Sequence, residues 1–299
     1  MMAEAVPTGA QGGSSPGSPV GTSATPRLER RSPALGRAQR RALVSYAAVL
    51  LVWQLGSTSP RWLGYPLPWL GHVPAPGAVL SVWARLLTDA GYWQSWCASS
   101  TRVFVGFAAA VVAGVPLGLF MALNPTVRAV VFPVFELLRP IPPLAWVPAA
   151  IIFWPTQELS IAFVIFIGAF YTMVLNALDG ADAIDIRLIQ VARSMGASRW
   201  NIFHRLVLRA VLPSVLVGME VSIGITWEVV VAAEMISGGG PGGAAAAGGG
   251  LGFFIWNSYV GGSYPQIIVG MISIGIAGYL SSAVLRMIAA RFTRWGTAQ

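Results

Sequence analysis

VFVGFAAAVVAGVPLGLFMAL, Val103 to Leu123, is 21 residues long and carries no charge. About 20 apolar residues are what a helix needs to cross a hydrocarbon core of roughly 30 Å. The stretch therefore reads as a transmembrane helix. Its Gly114 and Gly118 lie four residues apart, a spacing that lets two helices approach closely, and Pro116 between them is a kink point.

The rest of the chain agrees. Of 299 residues, 55% are hydrophobic and 10% are charged, against about 25% charged in soluble domains. All 19 basic residues are Arg. Without Lys there is no P-loop, whose Lys reaches the nucleotide phosphates, and no Schiff-base chemistry. One Cys and two His exclude a disulfide framework, a thiolate zinc site and a paired-Cys redox motif within one chain. The net charge of +8 reads as a positive cytoplasmic face and not as a nucleic-acid footprint. No metal and no cofactor are expected.

Upstream, residues 1–40 are rich in Gly, Pro, Ser and Ala and end in a basic cluster; they read as a disordered cytoplasmic tail. The run Ala42–Leu55 is an uncleaved first helix or a signal-peptide core; the long lead-in favours the helix. An extracytoplasmic connection follows. It is Pro-rich at first, then places Val79, Leu80, Trp83, Leu86 and Leu87 on a helical stripe, with Trp93, Trp96 and the lone Cys97 beyond. Downstream, Ala129–Trp154 is broken by Pro133, Pro140, Pro142, Pro143 and Pro148. It is either a broken span lining a cavity or an interfacial helix with a span starting near Leu144; Arg139 has no assigned side. Further spans are Leu159–Leu178, Val211–Ala233 and Pro265–Leu285, with a flexible Gly/Ala loop at 237–252. The sequence thus predicts an all-α polytopic membrane protein with about six transmembrane helices.

With the N-terminus in the cytoplasm, fifteen Arg fall on the cytoplasmic side against three, Arg61, Arg85 and Arg102, outside. The positive-inside rule then places both termini in the cytoplasm. His72 and His204 lie outside the spans, and no HExxH or GxSxG occurs, which disfavours a polytopic enzyme. Glu220, Glu228 and Glu234 lie on the fifth span within an arc of about 120°, at ~100° per residue. That acidic face lines a wet pathway or meets a second subunit; the alternative is a structural pair, or snorkelling for Glu234.

The most informative segment is the basic loop 182–210. Ile186, Ile189, Val191 and Met195 suggest a short helix, and Gly196 can end it in the left-handed conformation. Ser198 can cap a second helix carrying Ile202, Phe203, Leu206 and Val207. The expected product is a helix-turn-helix elbow, a rigid lever presented to a soluble partner. The competing reading is an elbow lying on lipid headgroups.

This elbow resembles the "EAA" loop of ABC-importer permeases, E-A-A-x3-G followed by an apolar helix. Ala192 and Gly196 match, while Gln190 and Val191 stand where Glu and Ala are usual. Ser99-Ser100-Thr101-Arg102, the Pro-rich run Arg139 to Pro148 with Trp146, Gly196-Ala197-Ser198-Arg199-Trp200 and Val230 to Met235 look like the nitrate/sulfonate/taurine subgroup. Arg209 stands where that subgroup often has Pro, and the run 238–250 is longer than usual.

The resemblance implies a type I importer core over 94–290, after a first helix and connection at 41–93 and before a cytoplasmic tail at 291–299. It implies a permease in the bacterial inner membrane that forms the pathway for a small solute such as a sulfonate, taurine or nitrate. It implies two copies, paired as a homodimer. Each docks one of two ATPases through Gln190, Ala192, Arg193, Met195, Gly196, Ala197, Ser198 and Arg199, and an extracytoplasmic binding protein delivers the solute. Glu220, Glu228, Glu234 and Trp146 are then candidates for the pathway or dimer interface. The rival class is an ion-coupled secondary transporter, which would be expected to show repeated broken helices.

Overall fold

The computed structural model describes residues 37–65, 70–237 and 249–292. Most of the expected N-terminal tail, the Gly/Ala stretch 238–248 and the end of the C-terminal tail lie outside the described residues. The chain divides into two units, Met1–Val49 and Leu50–Gln299. Among the described residues all regular structure is helical. The helices are α1 (Arg37–Ser57), α2 (Ser59–Trp62), α3 (Pro76–Leu86), α4 (Ala90–Leu123), α5 (Pro125–Leu138), α6 (Val147–Phe153), α7 (Gln157–Asp182), α8 (Ile186–Ser194), α9 (Arg199–Asn201), α10 (Leu208–Ser237), α11 (Leu251–Val260) and α12 (Tyr264–Phe292). α1 opens in the first unit and ends in the second.

Among the described residues, four helices are long and apolar enough to cross a membrane: α4, α7, the continuous stretch Arg199–Ile236, and α12. A fifth candidate is the bent pair Pro125–Leu138 and Pro143–Phe153, folded by 89°. The break falls in the Arg139–Pro143 segment, where successive prolines remove backbone donors. The sequence suggested six spans. The remaining one, Ala42–Leu55, is helical within α1, which is 21 residues long.

Two further elements differ from expectation. α4 starts at Ala90, thirteen residues before the uncharged run. The Asp89 side chain caps it by accepting from the Gly91 amide at 3.2 Å, and its first half is held by protein contacts: Tyr92 Oη lies 2.7 Å from Ser273 Oγ on α12. The Trp-rich end of the connection is therefore helix. Within the expected loop and the segment after it, α11 forms over Leu251–Val260.

α7 packs between α4 and α10, around a core that includes Phe107, Ala110, Val164, Ile165, Ala169, Ile223 and Val230. Gly118 allows the close approach: a Cβ there would run into the Val174 carbonyl oxygen and lie 2.8 Å from the Ala177 Cβ. Polar ties add to this packing; Trp227 Nε1 donates to Ser281 Oγ at 3.1 Å, joining α10 to α12. The outward faces carry Phe104, Val112 and Phe120 on α4 and Tyr279, Leu280 and Met287 on α12, all exposed. An apolar surface of that extent belongs against lipid or another subunit. A second core, Leu119, Met173, Ala177, Val207, Val211 and Val215, carries the elbow on its edge through Ile189, Ala192 and Ala197.

Candidate coupling elbow and translocation site

The elbow is built by three local devices. The Asp185 carboxylate accepts from the Arg187 amide at 2.8 Å and starts α8. α8 ends with Gly196 at φ +79°. There the Ala197 amide donates to the Ala192 carbonyl at 3.0 Å and the Gly196 amide to the Arg193 carbonyl at 2.9 Å. These two bonds make a complete Schellman turn, which requires the left-handed residue that Gly supplies without a Cβ penalty. The Ser198 hydroxyl then accepts from the Asn201 amide at 3.3 Å and starts the next helix. α9 runs through a π-helical turn, Ile202–Val207, straight into α10. The turn and the span beyond it are one continuous helical rod.

The elbow shows two faces. Ala192 and Ala197 are half-buried on the second core, while Gln190, Arg193, Gly196, Ser198 and Arg199 are exposed. Ile186, Leu188, Val191, Met195 and Trp200 are exposed as well. Five large apolar side chains among Arg residues mark a surface for a partner.

The three acids of the fifth span have different surroundings. Glu220 pairs with Arg286 of α12 at 2.7 Å. Glu228 is exposed. Glu234 is 0% exposed. It accepts from Arg102 Nη1 at 2.8 Å, from Ser99 Oγ at 2.8 Å and from the Gly252 amide at 2.9 Å. Arg102, 6% exposed, also donates through Nε to Glu158 at 2.8 Å and through Nη1 to the Gly249 carbonyl at 3.0 Å. One guanidinium thus ties α4 to α7, α10 and the segment entering α11. Arg102, counted on the outer side at a helix mouth, is buried within α4. The end of the Gly/Ala run is not free loop. Gly250, at φ +108°, rests against the Glu234 carboxylate with no room for a Cβ. Sequence reasoning had the Ser99–Arg102 motif and Glu234 separately; nothing in their spacing joins positions 132 residues apart. Trp146, the other interface candidate, is half-buried against the first core.

The bend after α5 makes a second feature. A cavity of about 390 Å³ lies there, lined by Arg139, Pro143, Gly168, Tyr171, Thr172, Leu175, Asn176, Asp179 and Ile225. Thr172, Asn176 and Asp179 share one face of α7 by their i, i+4, i+7 spacing. That stripe is legible in the sequence. Asp179 directly follows the apolar run that ends at Leu178, and it is exposed.

A sequence model of the family described as "Binding-protein-dependent transport system inner membrane component" matches residues 114–295. The chain belongs to that family. The permease is 33% identical over 281 residues to the taurine transport system permease protein TauC of Escherichia coli (strain K12), covering 90% of this chain and 94% of TauC. It is 30% identical over 284 residues to the nitrate import permease protein NrtB of Leptolyngbya laminosa, covering 89% and 95%. The bicarbonate transport system permease protein CmpB of Synechococcus elongatus is 35% identical over 189 residues, covering 63% and 65%. Among solved structures, an inward-facing form of the MetNI methionine ABC transporter superposes with a TM-score of 0.53 at 22% identity, covering 70% of this chain and 96% of that one. That likeness gives the permease a type I ABC-importer fold. The chain is a multi-pass inner-membrane transport subunit, which works with a separate ATPase and a substrate-binding protein.

Proposed function

We propose that this permease forms, as a homodimer, the pathway of an importer for a small solute with an anionic group: nitrate, taurine or another sulfonate. Two ATPases dock, one on each elbow, against Gln190, Ala192, Arg193, Met195, Gly196, Ala197, Ser198 and Arg199. Both chain termini face the cytoplasm, the transport core occupies 94–290, and residues 41–93 supply the first helix and outer connection. The TauC and NrtB likenesses support the solute class. The observation that carries the coupling role is the elbow itself. It exposes apolar and basic side chains, its turn is closed by a Schellman pair, and its second helix continues into α10. A rotation imposed on the elbow by a closing ATPase pair therefore reaches the span without a flexible joint. ATP, held by the ATPases, does the work by binding one of two states of the complex better than the other. Glu228, which is exposed, is available to solute or to the second subunit.

The test is reconstitution with the ATPase and binding protein in proteoliposomes, following labelled taurine and nitrate. Uptake is expected to require ATP inside the reach of the ATPase and to persist when ionophores collapse ion gradients. Uptake without ATP that ionophores abolish would establish an ion-coupled carrier instead.

A further inference from the structure

The cavity at the bend contains two opposite charges. Arg139 and Asp179 line the same space. Both are exposed, and neither is in an ion pair among the described residues. The neighbouring Asp182 is already matched with Arg128 at 2.9 Å, so Asp179 is not a redundant member of that pair. Neutral polar groups line the same cavity. Asn176 donates to the Thr172 carbonyl at 2.9 Å, which holds its amide and leaves its carbonyl oxygen and second N–H for another partner. The Tyr171 ring is set edge-on against Phe135 at 5.2 Å, which fixes where its hydroxyl sits.

We propose that this cavity is a transit site for a small zwitterion, with the anionic group against Arg139 and the ammonium against Asp179. The proposal rests on the permease reading above and sharpens its solute class. A guanidinium presents forked donors that fit a planar or tetrahedral oxyanion. A solute with only that charge would leave Asp179 facing it in the same small space, and repulsion at such range grows as water is displaced. A solute carrying both charges satisfies both ends, while Thr172, Asn176 and the Tyr171 hydroxyl cover the middle. A pathway site of this kind binds weakly, since the solute must also leave.

The test uses the permease–ATPase complex in lipid nanodiscs without binding protein, read by saturation-transfer NMR. Three probes at equal concentration are taurine, ethanesulfonate (the same anion without the ammonium) and nitrate. Taurine is expected to give the strongest signal in the wild type. Arg139→Gln should reduce it about tenfold, and Arg139→Lys should keep most of it. Asp179→Asn should bring taurine down to the level of ethanesulfonate while leaving ethanesulfonate and nitrate unchanged or stronger. Taurine signals that neither Arg139→Gln nor Asp179→Asn moves would overturn the site. Ethanesulfonate matching taurine in the wild type would overturn the zwitterion. Retention of the ATPase is scored in each sample. A wild type that fails to hold the ATPase counts against the permease reading, whereas a complex that holds it and gives no probe signal counts against this cavity alone.

Discussion

Glu234 and Glu158 hold the same guanidinium from surroundings of different polarity, and that difference sets what each is worth. Glu158 is 47% exposed, and an exposed pair contributes about 0–1 kcal/mol. Glu234 is sealed, and removing one partner of a buried pair costs about 3–5 kcal/mol because the other charge is left uncompensated. Glu234→Ala should therefore lower the detergent melting temperature far more than Glu158→Ala; equal losses would show that the Arg102 cluster is not the buried clasp described. Gly196 is a different case. Apart from Gly196 itself and its two chain neighbours, no atom lies within 4 Å of where its Cβ would be, so Gly196→Val meets backbone strain alone, about 1 kcal/mol or more. Membrane insertion should survive it. Gly196 was legible because a left-handed turn residue has a local signature. The Arg102–Glu234 pair was not, because its partners come from helices joined only by the tertiary fold.

At the scale of elements, the α4–α7 contact depends on what is missing from α4. Gly118→Leu should cost about 1–3 kcal/mol or more by overpacking, while Gly275→Leu on α12, which meets nothing within 4 Å, should leave the melting temperature nearly unchanged. Similar losses from both would sink the close-approach argument. Apolar run length identified α4, α7, α10 and α12, since in lipid the span requirement is written in consecutive residues. The prolines after Leu138 signalled a break, though its 89° angle follows from packing. Run length failed at the polar ends. The first half of α4 is helical because Asp89 caps it and Tyr92 and Arg102 find partners in other helices. α11 was hidden behind a Gly/Ala run that reads as loop.

For the whole molecule, the account assigns one face to a second copy and one end to an ATPase. Glu228 sits on an exposed α10 stripe with Val217 and Val221, a place too costly for a carboxylate against lipid. In a background with Cys97→Ser, Glu228→Cys should react with water-soluble thiol reagents or crosslink two permeases; reaction only with lipid-resident reagents would contradict the dimer and pathway face. The central claim is that the elbow couples ATP hydrolysis to the span. It is tested most directly by purifying the full complex with Gly196→Val and measuring bound ATPase and the stimulation of ATP hydrolysis by loaded binding protein. The account predicts normal insertion with weakened ATPase retention, or retained ATPase that no longer responds to the loaded binding protein. Normal retention together with normal stimulation would contradict it, because a headgroup-bound elbow tolerates a shifted turn and a coupling lever does not.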